Sequence, residues 1–186
     1  MGILSKIWLV FIDSLQTLLL AASVFLVIYV FLFRPFQVNG LSMYPNFDDR
    51  EYVLTNLIIL HFQKPKLGDV IVFKAPPEPD KDYIKRVIGV GGDRIMVKNG
   101  NVYLNDKQLD ESAYLNPQIK SLAGQFIGEG EEKTVPQGYY FVMGDNRGES
   151  SDSREWGFVP DSFVIGESMF VYWPPKDIKT IHNPYN

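Results

Sequence analysis

In Arg94-Ile95-Met96-Val97-Lys98-Asn99-Gly100-Asn101-Val102-Tyr103-Leu104, two short runs rich in β-branched and aromatic side chains flank an Asn-Gly pair. Such a pair adopts the positive φ angles of a tight hairpin turn at little cost, so the segment reads as strand, two-residue turn and returning strand. Runs of the same kind recur on both sides. Tyr52–Leu60, Asp69–Lys74 and Tyr83–Val90 precede it, and Tyr139–Met143 and Gly166–Trp173 follow it. Turn residues separate them, and past residue 33 no stretch keeps a long apolar period of 3.6. A mainly β domain is expected over 34–186, built as coiled sheets or a partly open barrel.

Between the runs, Ala75–Asp82 carries three prolines and reads as a loop leading into the strand that holds Lys85. Asn105–Pro136 is polar and weakly patterned, and is expected to be a more mobile insertion. Leu57-Ile58-Ile59-Leu60 is apolar enough for the core, with a membrane-contacting edge as the alternative. Gly89-Val90-Gly91-Gly92-Asp93 fails the GxGxxG pattern because Arg94 stands at the third glycine position, and it reads as a turn.

Upstream the character changes. From Leu15 to Phe33 there is no charge, and the polar side chains are Gln16, Thr17 and Ser23. That length approaches the roughly 20 residues that cross a bilayer and exceeds the apolar core of a cleavable signal peptide. A transmembrane helix is expected over 15–33, after a short cytoplasmic segment 1–14 whose Lys6 and amino terminus favour that orientation. The domain then lies on the extracytoplasmic side. Ser42 lies eight positions past Arg34, a span of at most about 28 Å, so Ser42 sits near the bilayer surface.

Composition excludes much other chemistry. The 186 residues include no cysteine, and His61 and His182 are the only histidines. Disulfides, thiolate metal sites and cysteine nucleophiles are removed, and a histidine triad or a zinc site lacks most of its material. A net charge of -4 argues against a nucleic-acid surface.

Three stretches can carry a reaction. Ser42-Met43-Tyr44-Pro45 presents a hydroxyl in a turn that Pro45 stiffens, although a serine before a turn is also an ordinary hydrogen-bonding residue. Lys85 lies in a β-patterned run with Tyr83 and Val87 on its face. Buried, it can become a neutral base; at a strand edge it is only a solvated cation, and its neighbour Arg86 stays protonated either way. The run Gly144–Arg154 offers hydroxyls and two Asp-to-Arg pairings, Asp145 with Arg147 and Asp152 with Arg154, that can rigidify a loop. Its acidic spacing does not fit an EF-hand.

In order, these stretches resemble the type I signal peptidases, membrane-bound Ser/Lys enzymes that remove signal peptides from exported proteins. The resemblance spans the anchor, Arg34-Pro35-Phe36-Gln37-Val38, Ser42-Met43-x-Pro45, Gly68-Asp69-Val70-Ile71-Val72-Phe73, Asp82-Tyr83-Ile84-Lys85-Arg86-Val87, Gly92-Asp93, and Gly144-Asp145-Asn146-Arg147 with Ser150, Asp152-Ser153-Arg154 and Trp156-Gly157. It implies a mostly β catalytic domain of coiled sheets. It also implies Ser42 as nucleophile, Lys85 as general base and Ser150 as the hydroxyl that orients the lysine amine. Asp145, Arg147, Asp152 and Arg154 would be the scaffold. Phe36, Val38, Met43, Tyr83 and Ile84 would contact substrate, lining shallow pockets for small residues at -1 and -3. Some relatives carry an oxyanion-binding hydroxyl where this chain has Gly40, which leaves that task to the Ser42 backbone N–H.

The expected activity is therefore signal-peptide removal by a membrane-anchored serine endopeptidase that needs no cofactor or metal. Its partners would be signal-peptide-bearing preproteins and the lipid bilayer, in a bacterial plasma membrane or a thylakoid membrane. Two alternatives come from other classes. One is a non-catalytic anchored β domain serving binding or assembly; the other is a self-cleaving Ser/Lys protease of the SOS-repressor kind, for which the anchor leaves no DNA-binding segment.

Overall fold

The computed structural model describes residues 2–185, so the amino terminus itself lies outside the described residues. The first element is α1 (Ile3–Leu32), 30 residues long. At 1.5 Å per residue it extends about 45 Å. Its apolar stretch Lys6–Val27 is long enough to cross a membrane and is not buried among the described residues, unlike a core helix. The helix begins well before Leu15 and ends one residue before Phe33. Pro35 accounts for the stop: it has no backbone N–H to donate and forces Arg34 into an extended conformation.

The strands are β1 (Phe33–Gln37), β2 (Tyr52–Asn56), β3 (Val70–Ala75), β4 (Glu78–Val90), β5 (Arg94–Lys98) and β6 (Asn101–Leu104). After them come β7 (Lys107–Gln108), β8 (Glu132–Thr134), β9 (Tyr139–Met143), β10 (Val159–Pro160), β11 (Val164–Trp173) and β12 (Lys179–Thr180). They form an antiparallel sheet in the order β1-β2-β11-β3-β4-β9-β10, with β12 beside β11, and a smaller sheet β7-β6-β5-β8. Both orders are open paths, so the sheets do not close into a barrel.

Asn99 and Gly100 have φ of 52° and 76°, and Lys98 pairs with Asn101 across the two-residue turn expected there. Two other expectations are corrected. The prolines do not make a long loop: Ala75 pairs with Glu78 around Pro76-Pro77, so β4 starts at Glu78. The run from Tyr52 is a strand only to Asn56, where the Asn56 side chain accepts from Ile58 and Ile59 N–H and starts the single-turn helix α2 (Ile59–Phe62). Leu57–Leu60 is accordingly half-buried.

Three apolar clusters hold the domain together. Ile88, Ile95, Val97, Val102, Ile127, Val135, Phe141 and Met143 fill the space between the two sheets. Ile71, Phe73, Val87, Tyr140, Val142 and Val159 form a second, and Val38, Met43, Phe47, Val53, Val70 and Val171 a third beneath the Ser42 turn. Neighbouring residues of β3 and β4 enter different clusters, which is why those strands are apolar on both faces. Segment 105–136 has little regular structure yet is packed down: Ile127, Tyr114, Leu115 and Ser121 are buried.

Candidate active site

Ser42 lies in the turn that follows β1. The turn's base is closed by hydrogen bonds from Val38 N to Glu51 O (2.8 Å) and from Arg50 N to Val38 O (2.8 Å). Gly40 has φ +92°, where a side chain would be strained, and donates to Asp49 Oδ1 at 2.7 Å. Met43 and Phe47 anchor the turn in the core, and Ser42 between them and the surface is half-buried.

The loop after β9 grips the turn from the other side. Asn146 donates from its backbone to Ser42 O and from its side chain to Leu41 O, both at 3.0 Å. Gly144 permits this approach: a Cβ there would lie 2.4 Å from Ser42 O and 2.2 Å from Ser150 Oγ.

Lys85 comes from β4, opposite Ile71 of β3. Its side chain is on the Tyr83 face, with Nζ 5.2 Å from the ring centroid. Only 4% of the residue is exposed. A 2.7 Å hydrogen bond joins Lys85 Nζ to Ser42 Oγ, and Nζ donates to Ile84 O at 3.1 Å. Burial disfavours the ammonium and lowers the Lys85 pKa from 10.5 to about 8, against the opposing attraction of Asp152 and Asp145. A buried amine and a half-buried alcohol in direct contact can exchange a proton.

The scaffold differs from the expected pairing in one place. Asp145 does not pair with Arg147. It receives Arg86 in a bidentate contact, Nε to Oδ1 at 2.8 Å and Nη2 to Oδ2 at 2.6 Å. Adjacent β4 residues point to opposite faces, so Lys85 turns to Ser42 while Arg86 turns to Asp145. Arg147 reaches Glu111 (Nη2 to Oε1, 2.5 Å), Ser121 and Gly144 O, tying segment 105–136 to the loop. Asp152 and Arg154 do pair, Arg154 Nε to Asp152 Oδ1 at 2.8 Å and Nη2 to Oδ2 at 2.9 Å.

Phe36, Val38, Tyr83 and Ile84 line a cleft of about 670 Å³ together with Ser42 and Lys85. Met43 does not; it is fully buried, because the turn uses it as a core anchor. The Ser150 hydroxyl is buried and forms no hydrogen bond among the described residues, so the contact expected from it to Lys85 is not made here. Away from the cleft, Asp48, Glu51 and Asp177 come together, but Glu51 already pairs with Lys179 at 3.0 Å.

Reading the sequence missed Arg86, Glu111, Tyr114 and Asn46 as parts of this framework. Strand alternation at Lys85-Arg86 was a usable signal for Arg86, since it sends the two cations to opposite faces. The other three contribute through contacts distant in sequence, which leave no local pattern.

Comparison with known proteins adds a lineage. A family model described as signal peptidase, peptidase S26, matches residues 11–173. Signal peptidase IB of Staphylococcus aureus is 34% identical over 188 residues, covering 94% of this chain and 97% of that protein. Thylakoidal processing peptidase 1, chloroplastic, of Arabidopsis thaliana is 32% identical over 187 residues, covering 95% of this chain and 53% of its own length. A signal peptidase I from Enterococcus faecalis with a solved structure is 30% identical, with a TM-score of 0.47, covering 56% of this chain and 97% of that one.

Proposed function

The chain belongs to the peptidase S26 family of signal peptidases, and from that premise we propose that it is a membrane-anchored serine endopeptidase that removes signal peptides from exported preproteins. The observation that carries the reading is the 2.7 Å contact between Ser42 Oγ and a nearly fully buried Lys85. Neutral Lys85 accepts the Ser42 proton as Oγ attacks the carbonyl carbon before the scissile bond. The Ser42 backbone N–H, which donates to no backbone oxygen among the described residues, is left to bind the developing oxyanion. The Lys85 ammonium then gives its proton to the departing amine, freeing the mature protein. A water deprotonated by Lys85 attacks the acyl ester, releasing the signal peptide and restoring Ser42.

Ser150 is assigned the orienting role, its hydroxyl lying unpartnered against Gly144 beside the Ser42 loop. Phe36, Val38, Tyr83 and Ile84 would form the walls that accept small residues at -1 and -3. Arg34, Lys81, Ser42 and Lys85 all line the cleft, and Arg34 lies just past the end of α1. A signal peptide leaving the bilayer beside α1 would therefore run from Arg34 toward Ser42. On this reading the amino-terminal end lies in the cytoplasm and the β domain on the far side.

The test uses the full chain in proteoliposomes with a purified preprotein. Ser42→Ala and Lys85→Ala should each lower cleavage by at least roughly 10³-fold while far-UV circular dichroism stays unchanged. Activity surviving in either variant would falsify the Ser/Lys assignment. Ser150→Ala should reduce kcat more than it raises KM.

A further inference from the structure

Four residues past Ser42, the Asn46 amide makes two hydrogen bonds that hold the turn to distant parts of the chain. Nδ2 donates to Tyr114 O at 2.8 Å and to Asp145 Oδ2 at 2.9 Å. Neither acceptor is a passing surface group. Asp145 is completely buried and bidentate to Arg86, which itself donates to Gly68 O at 2.9 Å and lies 4.3 Å from the Tyr114 ring centroid. Tyr114 is buried too and is fixed by N–H donation to Glu111 O (3.1 Å) and O–H donation to Glu111 Oε1 (2.8 Å). Glu111 in turn pairs with Arg147, whose backbone belongs to the loop that holds Ser42 O. One amide thus connects the Ser42 turn to a buried ion pair and to segment 105–136.

The turn is also tied at its base by the Val38, Arg50 and Gly40 hydrogen bonds. Within it, Tyr44 N donates to Leu41 O at 3.1 Å and Phe47 N to Met43 O at 2.9 Å, so it is braced internally. Its core anchors, Met43 and Phe47, are apolar and hold it through non-directional packing. Hydrogen bonds from Asn146 hold the Ser42 end, and the Asn46 amide holds the other. With the base of the turn closed, these two directional grips set the angle at which Ser42 Oγ meets Lys85 Nζ.

We propose that Asn46 is a positioning residue for the nucleophile: its side-chain amide locks the Ser42 turn against the Arg86–Asp145 pair and the Tyr114 carbonyl. The inference rests on Ser42 being the nucleophile. It deepens that reading by making segment 105–136, through Tyr114, a buttress of the reacting pair. Misplacing a reacting atom by about 1 Å costs up to roughly a hundredfold in rate, with little effect on a binding cleft built from other residues.

The experiment measures preprotein cleavage by the full chain in proteoliposomes for Asn46→Ala, Asn46→Asp and Asn46→Ser, with Ser42→Ala as reference. Asn46→Ala should lower kcat by roughly ten- to a hundredfold with KM within about twofold. Asn46→Asp keeps the size but replaces the N–H donor by a carboxylate facing Asp145 and the Tyr114 carbonyl, so it should fall at least as far. Asn46→Ser, which can donate one hydrogen bond, should recover part of the loss. Folded fraction is followed by far-UV circular dichroism. Wild-type kcat in Asn46→Ala and Asn46→Asp beside an inactive Ser42→Ala would overturn the positioning role and leave the nucleophile assignment standing. Losses that merely track unfolding, or that fall on KM, would overturn it as well. An active Ser42→Ala would instead remove the premise.

Discussion

Lys85 combines two properties that oppose each other: a position useful for proton transfer and an environment hostile to its charge. With its pKa brought down to about 8, roughly a tenth of the amine is neutral at pH 7. The rate should therefore rise with pH through about 8 and level off above it, a profile that kcat/KM measured from pH 6 to 10 would show. Lys85→Arg should be inactive at every pH in that range, because a guanidinium does not deprotonate. The same burial affects stability. A folded pKa below the unfolded one means the cost is present in full below about pH 8 and disappears as pH passes 10.5. Lys85→Met should then raise the thermal midpoint at pH 6, by a gain bounded on the order of 3 kcal/mol, while abolishing cleavage.

Among the elements, the junction of β9 with the loop after it is held by close backbone approach and by buried ion pairs, Arg86–Asp145 and Asp152–Arg154 among them. Gly144→Ala would place a methyl 2.4 Å from Ser42 O, a backbone atom that cannot move without moving the turn. We expect about 1–3 kcal/mol of destabilisation and a clear loss of kcat, checked by thermal melts and cleavage assays. Arg86→Met would leave the fully buried Asp145 carboxylate without its cation, held by the neutral Asn46 amide, and should cost about 3–5 kcal/mol; a smaller loss would mean that another cation reaches Asp145. The β5–β6 hairpin was legible in the sequence because Asn99-Gly100 carries its own conformational preference. Strands β3, β4, β9 and β11 were legible through composition alone. Short β7, β8, β10 and β12 were not, since two or three residues hold no period, and their pairing comes from neighbours far along the chain.

In the whole molecule, the apolar helix and the cleft are joined by a strand of five residues, β1. Under the proposed function this fixes the height at which a substrate can be cut. Shortening a preprotein so that its scissile bond falls inside the bilayer should stop cleavage in proteoliposomes and spare it in detergent, as gel assays of the two would show. Read in sequence, segment 105–136 looked like an excursion; folded, it buries Ile127 in the main core and braces Arg147 through Glu111. Its polarity was read correctly, but polar residues at a packed position are satisfied by partners that a linear pattern cannot reveal.

Local physics written in the chain settled the apolar helix, its end before Arg34-Pro35, the hairpin and the mainly β character, because each depends on residues within a few positions of one another. The ordered boxes around Ser42, Lys85 and Gly144 also pointed to the signal peptidase family. Only the tertiary structure decided that Asp145 takes Arg86 rather than Arg147, that Met43 is core rather than cleft, and that an amide at Asn46 ties the turn to Tyr114. Those outcomes depend on which faces meet after the sheets pack, and side-chain direction across a packed interface is set by three-dimensional register, not by spacing along the chain.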